Sequence, residues 1–290
     1  MKNTPILSLS DIFSNNEDYF YINSLSSHFK SHFKIIEKAH KHDFYFCVFF
    51  KEGIGTHEID FKTYNIKPRS LFLLRPGQIH SWQFNSPPKG YILLHTKEFI
   101  EFPFVKEYLE SYPFYKFNKE PVLYLTKEEA SNIEIYYEKL FLEFSDNKIY
   151  KNEILNAFVK IIYIEAARLF NNPTINKKHI PSRYFKVLNL LESMIENDFK
   201  TKKNASFYSN ELHITTKHLN RIVNNTLSKT TSEIINERVI LEAKRLIAHT
   251  NYTLKYISEE LGYDDYAYFS RFFKSKTDFT PSQFKNKYKV

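Results

Sequence analysis

One cysteine, one tryptophan, five glycines and eight arginines stand in a chain of 290 residues. The single cysteine, Cys47, lies in an apolar run and excludes an internal disulfide framework. No apolar run reaches the length of about 18 residues that a membrane span requires. The opening MKNTPILSLSDIF lacks the apolar core of a secretory signal, so a soluble, cytoplasmic protein is expected. Catalytic signatures are also missing. There is no phosphate-binding glycine-rich loop, no G-x-S-x-G, no H-E-x-x-H and no paired-cysteine zinc spacing. Carboxylates and histidines are plentiful but form no recognisable catalytic set, and no enzyme is expected.

What is present points elsewhere. The chain is 42% apolar and 17% aromatic, enough for two domains of ordinary size with cores of their own. The net charge of +8 is unevenly placed. From Ile180 to Val290 there are 18 Lys+Arg against 12 Asp+Glu, whereas the first 179 residues carry 23 against 21. The excess therefore sits in the C-terminal third, which suits a polyanionic partner as well as a plain solvated surface.

Two textures divide the sequence. From about Phe44 to Thr96 short apolar runs (FYFCVFF, THEIDF, SLFLL, IHSWQF, YILLHT) alternate with turn-forming stretches. Four of the five glycines, Gly53, Gly55, Gly77 and Gly90, fall in those turns. This spacing predicts a small barrel or sandwich. After Lys97 the period becomes helical. Lys127–Ser145 carries Ile133, Tyr136, Tyr137, Leu140, Phe141 and Phe144 on one stripe, and Lys151–Phe170 carries Ile154, Leu155, Phe158, Ile161, Ile162 and Leu169. Broad aromatic stripes of this kind suit either packing on the barrel or pairing with a second copy, and a homodimer is expected. NNPTINKKHIPS then interrupts the pattern. The expected organisation is a domain over 1–170, a linker over 171–181 and an all-helical domain over 182–290.

The scarce Gly262 follows the helical TLKYISEEL, at a place where a helix ends in a left-handed residue. Asp264 and Asp265 can cap the next helix, YAYFSRFFKSK, which buries Phe269, Phe272 and Phe273 and turns Tyr266, Ser270, Arg271 and Lys274 outward. Helix, glycine turn and helix form the helix-turn-helix pattern, whose second helix can enter a DNA major groove. A second copy stands fifty residues earlier, in SNELHITTKHLNRIVNNTLSKTTSEI. Arg221 aligns there with Arg271, Leu219 with Phe269, Val223 with Phe273 and Thr230 with Thr280. Duplication of an outward arginine is hard to explain by packing. The intervening SEIINERVILEAKRLIAH predicts a helix that joins the two units rigidly.

Residues 182–288 resemble the DNA-binding domain of the AraC family of bacterial transcription regulators. The resemblance rests on LNRIV, RVILEAKRLI and YISEELGYDDYAYFSRFFKSKTDFTPSQFKNKY. Ser228 and Asp278 stand where that family usually has Gly, and Ser258 where it usually has a small Ala. The resemblance implies double-stranded DNA as partner, with Lys217, Asn220 and Arg221 facing bases in the first unit and Tyr266, Ala267, Ser270 and Arg271 in the second. Lys274 is placed for phosphate. It also favours activation, with RNA polymerase as a further partner, since many members recruit the polymerase beside a promoter.

HKHDFYFCVFFKEGIGTHEIDFKTYNIKPRSLFLLRPGQIHSW resembles the cupin barrel with which many such regulators sense a ligand. The implied fold class is α+β in two domains: a cupin-like β-barrel with appended helices, then an all-α domain with two helix-turn-helix units. Cupin enzymes hold metal through H-x-H, a following Glu and a later His. His40, His42 and His80 could supply three ligands, but Phe46 stands where the Glu belongs, so these histidines are read as lining and no metal or cofactor is expected. With Phe46, Trp82 and Tyr91 they make a candidate pocket for a small, partly apolar effector. Two alternatives stay open at this point: a metal-dependent cupin enzyme fused to a DNA-binding module, and a constitutive DNA binder whose barrel is a protein-interaction platform.

Overall fold

The computed structural model describes residues 5–12, 19–36, 38–100, 109, 112–116, 119–170 and 182–288. The linker expected over 171–181 lies outside them. The described residues form two compact units, one ending at Phe170 and one beginning at Ser182.

The first unit is built on two five-stranded sheets. One runs β1 (Ile6–Leu7), β3 (His40–His42), β8 (Ile79–Phe84), β5 (Gly55–Ile59), β6 (Lys62–Ile66). The other runs β10 (Val122–Tyr124), β7 (Ser70–Leu74), β4 (Tyr45–Glu52), β9 (Lys89–His95), β2 (Phe20–Ser24). All pairings are antiparallel except β1 with β3.

Strand β4 explains the layering. Side chains alternate across a strand, and both faces of β4 are buried, so its sequence reads as a continuous apolar run. Phe46, Val48 and Phe50 join Phe72, Leu74, Ile92 and Leu94 in the core between the sheets. Tyr45, Cys47 and Phe49 join Leu71, Leu73 and Leu93 in a second core on the outer face, closed by α4 (Lys127–Ser145) and α5 (Lys151–Phe170). A one-residue slip in β4 would exchange the two sets. Gly90 fixes one point of that register, because a Cβ there would stand 1.9 Å from the Phe49 carbonyl oxygen at φ +139°.

The outer core is polar at its centre. Cys47 Sγ lies 2.9 Å from the Tyr137 hydroxyl, and burial pushes the thiol up to about 12. Tyr115 donates to the Tyr163 oxygen at 2.8 Å, and that hydroxyl lies 2.6 Å from His95 Nε2. His95 Nδ1 donates to the Thr96 carbonyl at 2.7 Å, so Nε2 is the acceptor and the chain of hydrogen bonds is complete. Burial lowers the His95 pKa to about 4, which keeps the ring neutral.

The stripes that suggested pairing with a second copy therefore close this chain's own core. Ile133, Tyr137, Leu140 and Ile162 are all buried against the barrel. The large aliphatic side chains that α4 and α5 leave exposed are Ile154 from the expected stripe and, outside the stripes, Ile135, Leu142 and Ile164.

The second unit is all helix: α6 (Ser182–Asp198), α7 (Ala205–Glu211), α8 (Thr216–Leu227), α9 (Thr231–His249), α10 (Leu254–Glu260), α11 (Tyr266–Thr277) and α12 (Pro281–Tyr288). Its central α9 starts at a reciprocal cap, in which Thr230 Oγ1 accepts from the Glu233 N–H and Glu233 from the Thr230 N–H. Arg238 is buried within it. Its guanidinium meets Glu196 of α6 at 2.7 Å and Glu242 at 2.9 Å, and lies 3.9 Å from the centre of the Phe199 ring. Removing both carboxylates would leave the buried Arg238 charge unpaired, which is destabilising.

Candidate functional site

The two helix-turn-helix units repeat in detail. Helices α7 and α10 each have seven residues, and α8 and α11 each have twelve. Each first helix ends in a left-handed residue, His213 at φ 53° and Gly262 at φ 71°. The following N–H returns to a serine carbonyl: Ile214 to Ser209 at 3.0 Å, and Tyr263 to Ser258 at 2.9 Å. Those serines are buried and bond their hydroxyls to the carbonyls of Ser206 and Lys255, which accounts for Ser258 in a packed position. Gly262 is needed for space as well as for φ, since a Cβ there would stand 2.1 Å from the Lys200 carbonyl oxygen.

Both second helices are capped at their N-termini, α8 by Thr215 accepting from the His218 N–H and α11 by Asp265 accepting from the Ala267 N–H. Both end in a left-handed residue, Ser228 and Asp278, and both are followed by a threonine that caps the next helix at its third N–H, Thr230 and Thr280. Leu219, Ile222 and Val223 anchor α8, and Phe269 and Phe273 anchor α11.

What remains outward is polar and basic. Lys217, Arg221 and Asn224 are exposed at helical spacing on α8, and Ala267, Arg271 and Lys274 on α11. The Arg221 guanidinium touches His218 Nδ1 at 2.9 Å. Among the described residues Arg271 has no carboxylate partner, and Asp265 is occupied in capping. Tyr266 and Ser270 are half-buried at the edge of this face, and the Tyr266 ring lies 6.4 Å from that of Phe269.

Asn220 is placed differently from the expectation. It is half-buried, and its Oδ1 accepts from the Thr231 N–H at 3.0 Å, tying α8 to the first turn of α9. Its carbonyl is thus committed inside the protein and is not free for a base edge. Asn224 and Tyr268, which the sequence pattern did not single out, also lie on the exposed face, Tyr268 at 56% exposure. Counting one turn on from Arg221 and one residue on from Ala267 would have found them.

In the barrel, the pairing register gathers the histidines. His40 stands opposite His80, Ile59 opposite His80 and His57 opposite Trp82. His42 Nε2 lies 2.5 Å from His80 Nε2, and His57 Nε2 lies 2.9 Å from His80 Nδ1. Phe46 lies over this group, its ring centre 5.1 Å from that of His80 and 5.6 Å from that of Trp82. All of these residues are buried. Burial holds the pKa values of His42, His57 and His80 well below the ordinary histidine value, so the rings are neutral. His57 was not anticipated, although the alternation of THEI places it on the same face as Ile59.

Tyr91 does not belong to this group. It lies on β9 one residue out of phase with Ile92 and Leu94, so it faces the helices and stacks on Tyr137 at 5.8 Å. Five of the six expected pocket residues come together and Tyr91 does not.

The comparisons with known proteins agree with this division. Residues 35–97 match the family model of the AraC-like ligand binding domain, and residues 208–287 match that of a helix-turn-helix domain. The chain is 23% identical over 256 residues to the uncharacterized HTH-type transcriptional regulator YfiF of Bacillus subtilis (strain 168), covering 86% of this chain and 79% of that protein. It is 28% identical over 106 residues to YisR of the same organism, 37% of each chain. Among solved structures, wild-type ToxT of Vibrio cholerae aligns over 93% of this chain and 96% of its own, at 16% identity and a TM-score of 0.43. The C-terminal domain of the response regulator yesN of Fusobacterium nucleatum aligns over 34% of this chain and 98% of its own, at 22% identity and a TM-score of 0.33.

Proposed function

Since the chain is a member of the AraC family of DNA-binding transcription regulators, with a small-molecule-sensing domain ahead of its helix-turn-helix domain, we propose that it is an activator whose two recognition helices enter successive major grooves of one operator. The observation that carries this reading is the repeat of Arg221 and Arg271 at the same exposed position of two helices built alike. Arginine can donate two hydrogen bonds to the O6 and N7 of guanine, the commonest specific contact in the major groove. Lys217 and Lys274 flank them at one-turn spacing and suit phosphates, which set register without reading sequence. Buried Arg238 and its carboxylates hold α6 on α9, so the frame between the two readers is stiff.

The barrel supplies the response. An effector held beside Trp82 and Phe46 alters transcription by favouring one arrangement of the chain over another, and it shifts the equilibrium only by its difference in affinity for the two. The protein works in the cytoplasm as a homodimer that meets RNA polymerase beside the promoter. Selecting bound fragments from a random DNA pool, and then titrating the selected site with and without candidate metabolites, tests the reading. A defined site whose affinity changes several-fold with one compound is expected. No enrichment of any sequence would refute DNA reading, and an effector-independent affinity would leave a constitutive binder.

A further inference from the structure

Arg221 and Arg271 repeat in position but not in surroundings. We propose that His218 is the residue that positions Arg221 for base reading, so that α8 presents an arginine held ready and α11 one that becomes ordered only on contact with DNA. The inference rests on the reading of Arg221 as a base contact and adds to it the device that orients the side chain.

The hydrogen-bond geometry carries the argument. A guanidinium only donates. Arg221 Nη2 lies 2.9 Å from His218 Nδ1, so Nδ1 is the acceptor and the hydrogen of the ring stands on Nε2. His218 is itself fixed. Its N–H donates to Thr215 Oγ1 at 3.1 Å, which pins its backbone in the first turn of α8. Its half-buried ring stands edge-on to that of Tyr184 of α6, at 88° and 6.3 Å between centres. The Tyr184 ring in turn lies 5.3 Å from the Arg183 guanidinium. Arg221, one turn further along α8, is thus tied through His218 to a second helix while remaining exposed. The tie uses one of several N–H donors, and enough remain for a paired contact with guanine.

The second unit has no counterpart. Tyr268 stands three residues before Arg271, as His218 does before Arg221. It is 56% exposed, its ring lies 6.0 Å from that of Tyr263, and among the described residues it makes no hydrogen bond to Arg271. A free arginine gives up much rotamer freedom when it docks. Holding one such side chain beforehand removes part of that loss, an effect of about two- to tenfold in affinity.

The test uses the full-length protein. DNA bound by the wild type, H218F and H218N is selected from a random pool, and affinities for the selected operator and for scrambled DNA are titrated beside thermal melts. H218F keeps a ring beside Tyr184 and removes the acceptor. H218N removes the ring and keeps an acceptor oxygen at the place of Nδ1. Base preference should follow the acceptor, and melting temperature should follow the ring. H218F should lose about two- to tenfold on operator and little on scrambled DNA, and should relax preference at the same base position as R221A. H218N should keep that preference and melt lower. In an R221A background H218F should cost nothing further on operator. Should H218F fold poorly, H218L removes the acceptor with a good helix former. If the wild type selects a site and H218F selects it as sharply, the role of His218 is overturned while the reading of DNA stands. A loss by H218F that is equal on both DNAs, that persists in R221A, or that H218N shares, overturns it too. Enrichment of no sequence by the wild type overturns both.

Discussion

Position 220 separates two asparagine roles that a helix pattern cannot distinguish. Asn220 is adjacent to Arg221 and sits within α8, yet its Oδ1 holds the Thr231 N–H. Arg221 reaches outward. Asn220→Ala should therefore lower stability by about 1 kcal/mol, as the loss of a helix cap does. It should leave the ratio of operator to scrambled-DNA affinity unchanged once folding is complete. Arg221→Ala should do the reverse, with normal melting and a loss of about 1–3 kcal/mol on operator alone. Thermal melts beside mobility-shift titrations check both. The pocket divides in the same manner. His40, His42, His80, Phe46 and Trp82 could be picked out as types suited to a pocket, whereas Tyr91 required the register of β9, which fixes face by a single residue. His95 gives a residue-scale pH dependence. Its folded pKa of about 4 lies below the ordinary 6.5. The unfolded chain therefore takes up a proton between those values and the folded one does not. Stability is full above about pH 6.5 and falls by up to about 1.4 kcal/mol per pH unit down to about pH 4. His95→Gln should flatten the slope of urea midpoint against pH by about one proton, and an unchanged slope would contradict this account.

At the scale of elements, helices were easier to read than strands. Lys127–Ser145 and Lys151–Phe170 are helices with the anticipated bounds, because long amphipathic periods and caps such as Thr126 with Glu129 are local signals. Short strands β2, β6 and β10 were not recognised. They are three to five residues long; β2 and β10 pair with the distant β9 and β7, and β6 pairs with β5 across a two-residue turn, Asp60–Phe61, that no glycine marks although both residues take positive φ. Helix α2 (Leu25–Ile36) was missed as well, its serines, histidines and lysines diluting the apolar stripe. The apolar faces of α4 and α5 were found but given to a second copy, since a stripe does not say what covers it. The duplicated unit was legible because it states its pattern twice. Its repeated left-handed ends carry a prediction. Ser228 adopts φ 54° at a cost of about 1–2 kcal/mol, and glycine would relieve it while losing about 0.5–1 kcal/mol to chain entropy. Ser228→Gly should raise the melting temperature, with a net gain of roughly 0.5–1 kcal/mol. Asp278→Gly should gain less, as aspartate tolerates this region better.

For the whole molecule, assembly and DNA reading are the two claims to examine. Leu142 is 66% exposed on α4 and Ile164 is 41% exposed on α5, and these faces remain after the chain's own core is closed. If they form the dimer seam, Leu142→Asp or Ile164→Asp should give monomers by sedimentation at unchanged helix content, since an unpaired charge in an apolar seam is costly. A wild-type protein that is monomeric at micromolar concentration would contradict the seam. The central claim is that one chain reads DNA through two arginine-bearing helices on a single stiff frame. Helix α9 has 19 residues and so spans about 28 Å, close to the ~34 Å between successive major grooves on one face of the duplex. The direct measurement is the affinity of the intact protein for its selected operator after about half a helical turn, ~5 bp, is inserted between the two subsites. Binding should fall to that of a single subsite, and Arg271→Ala should weaken the original operator but no longer matter on the expanded one. Unchanged affinity for the expanded operator, or an equal effect of Arg271→Ala on both, would contradict the account.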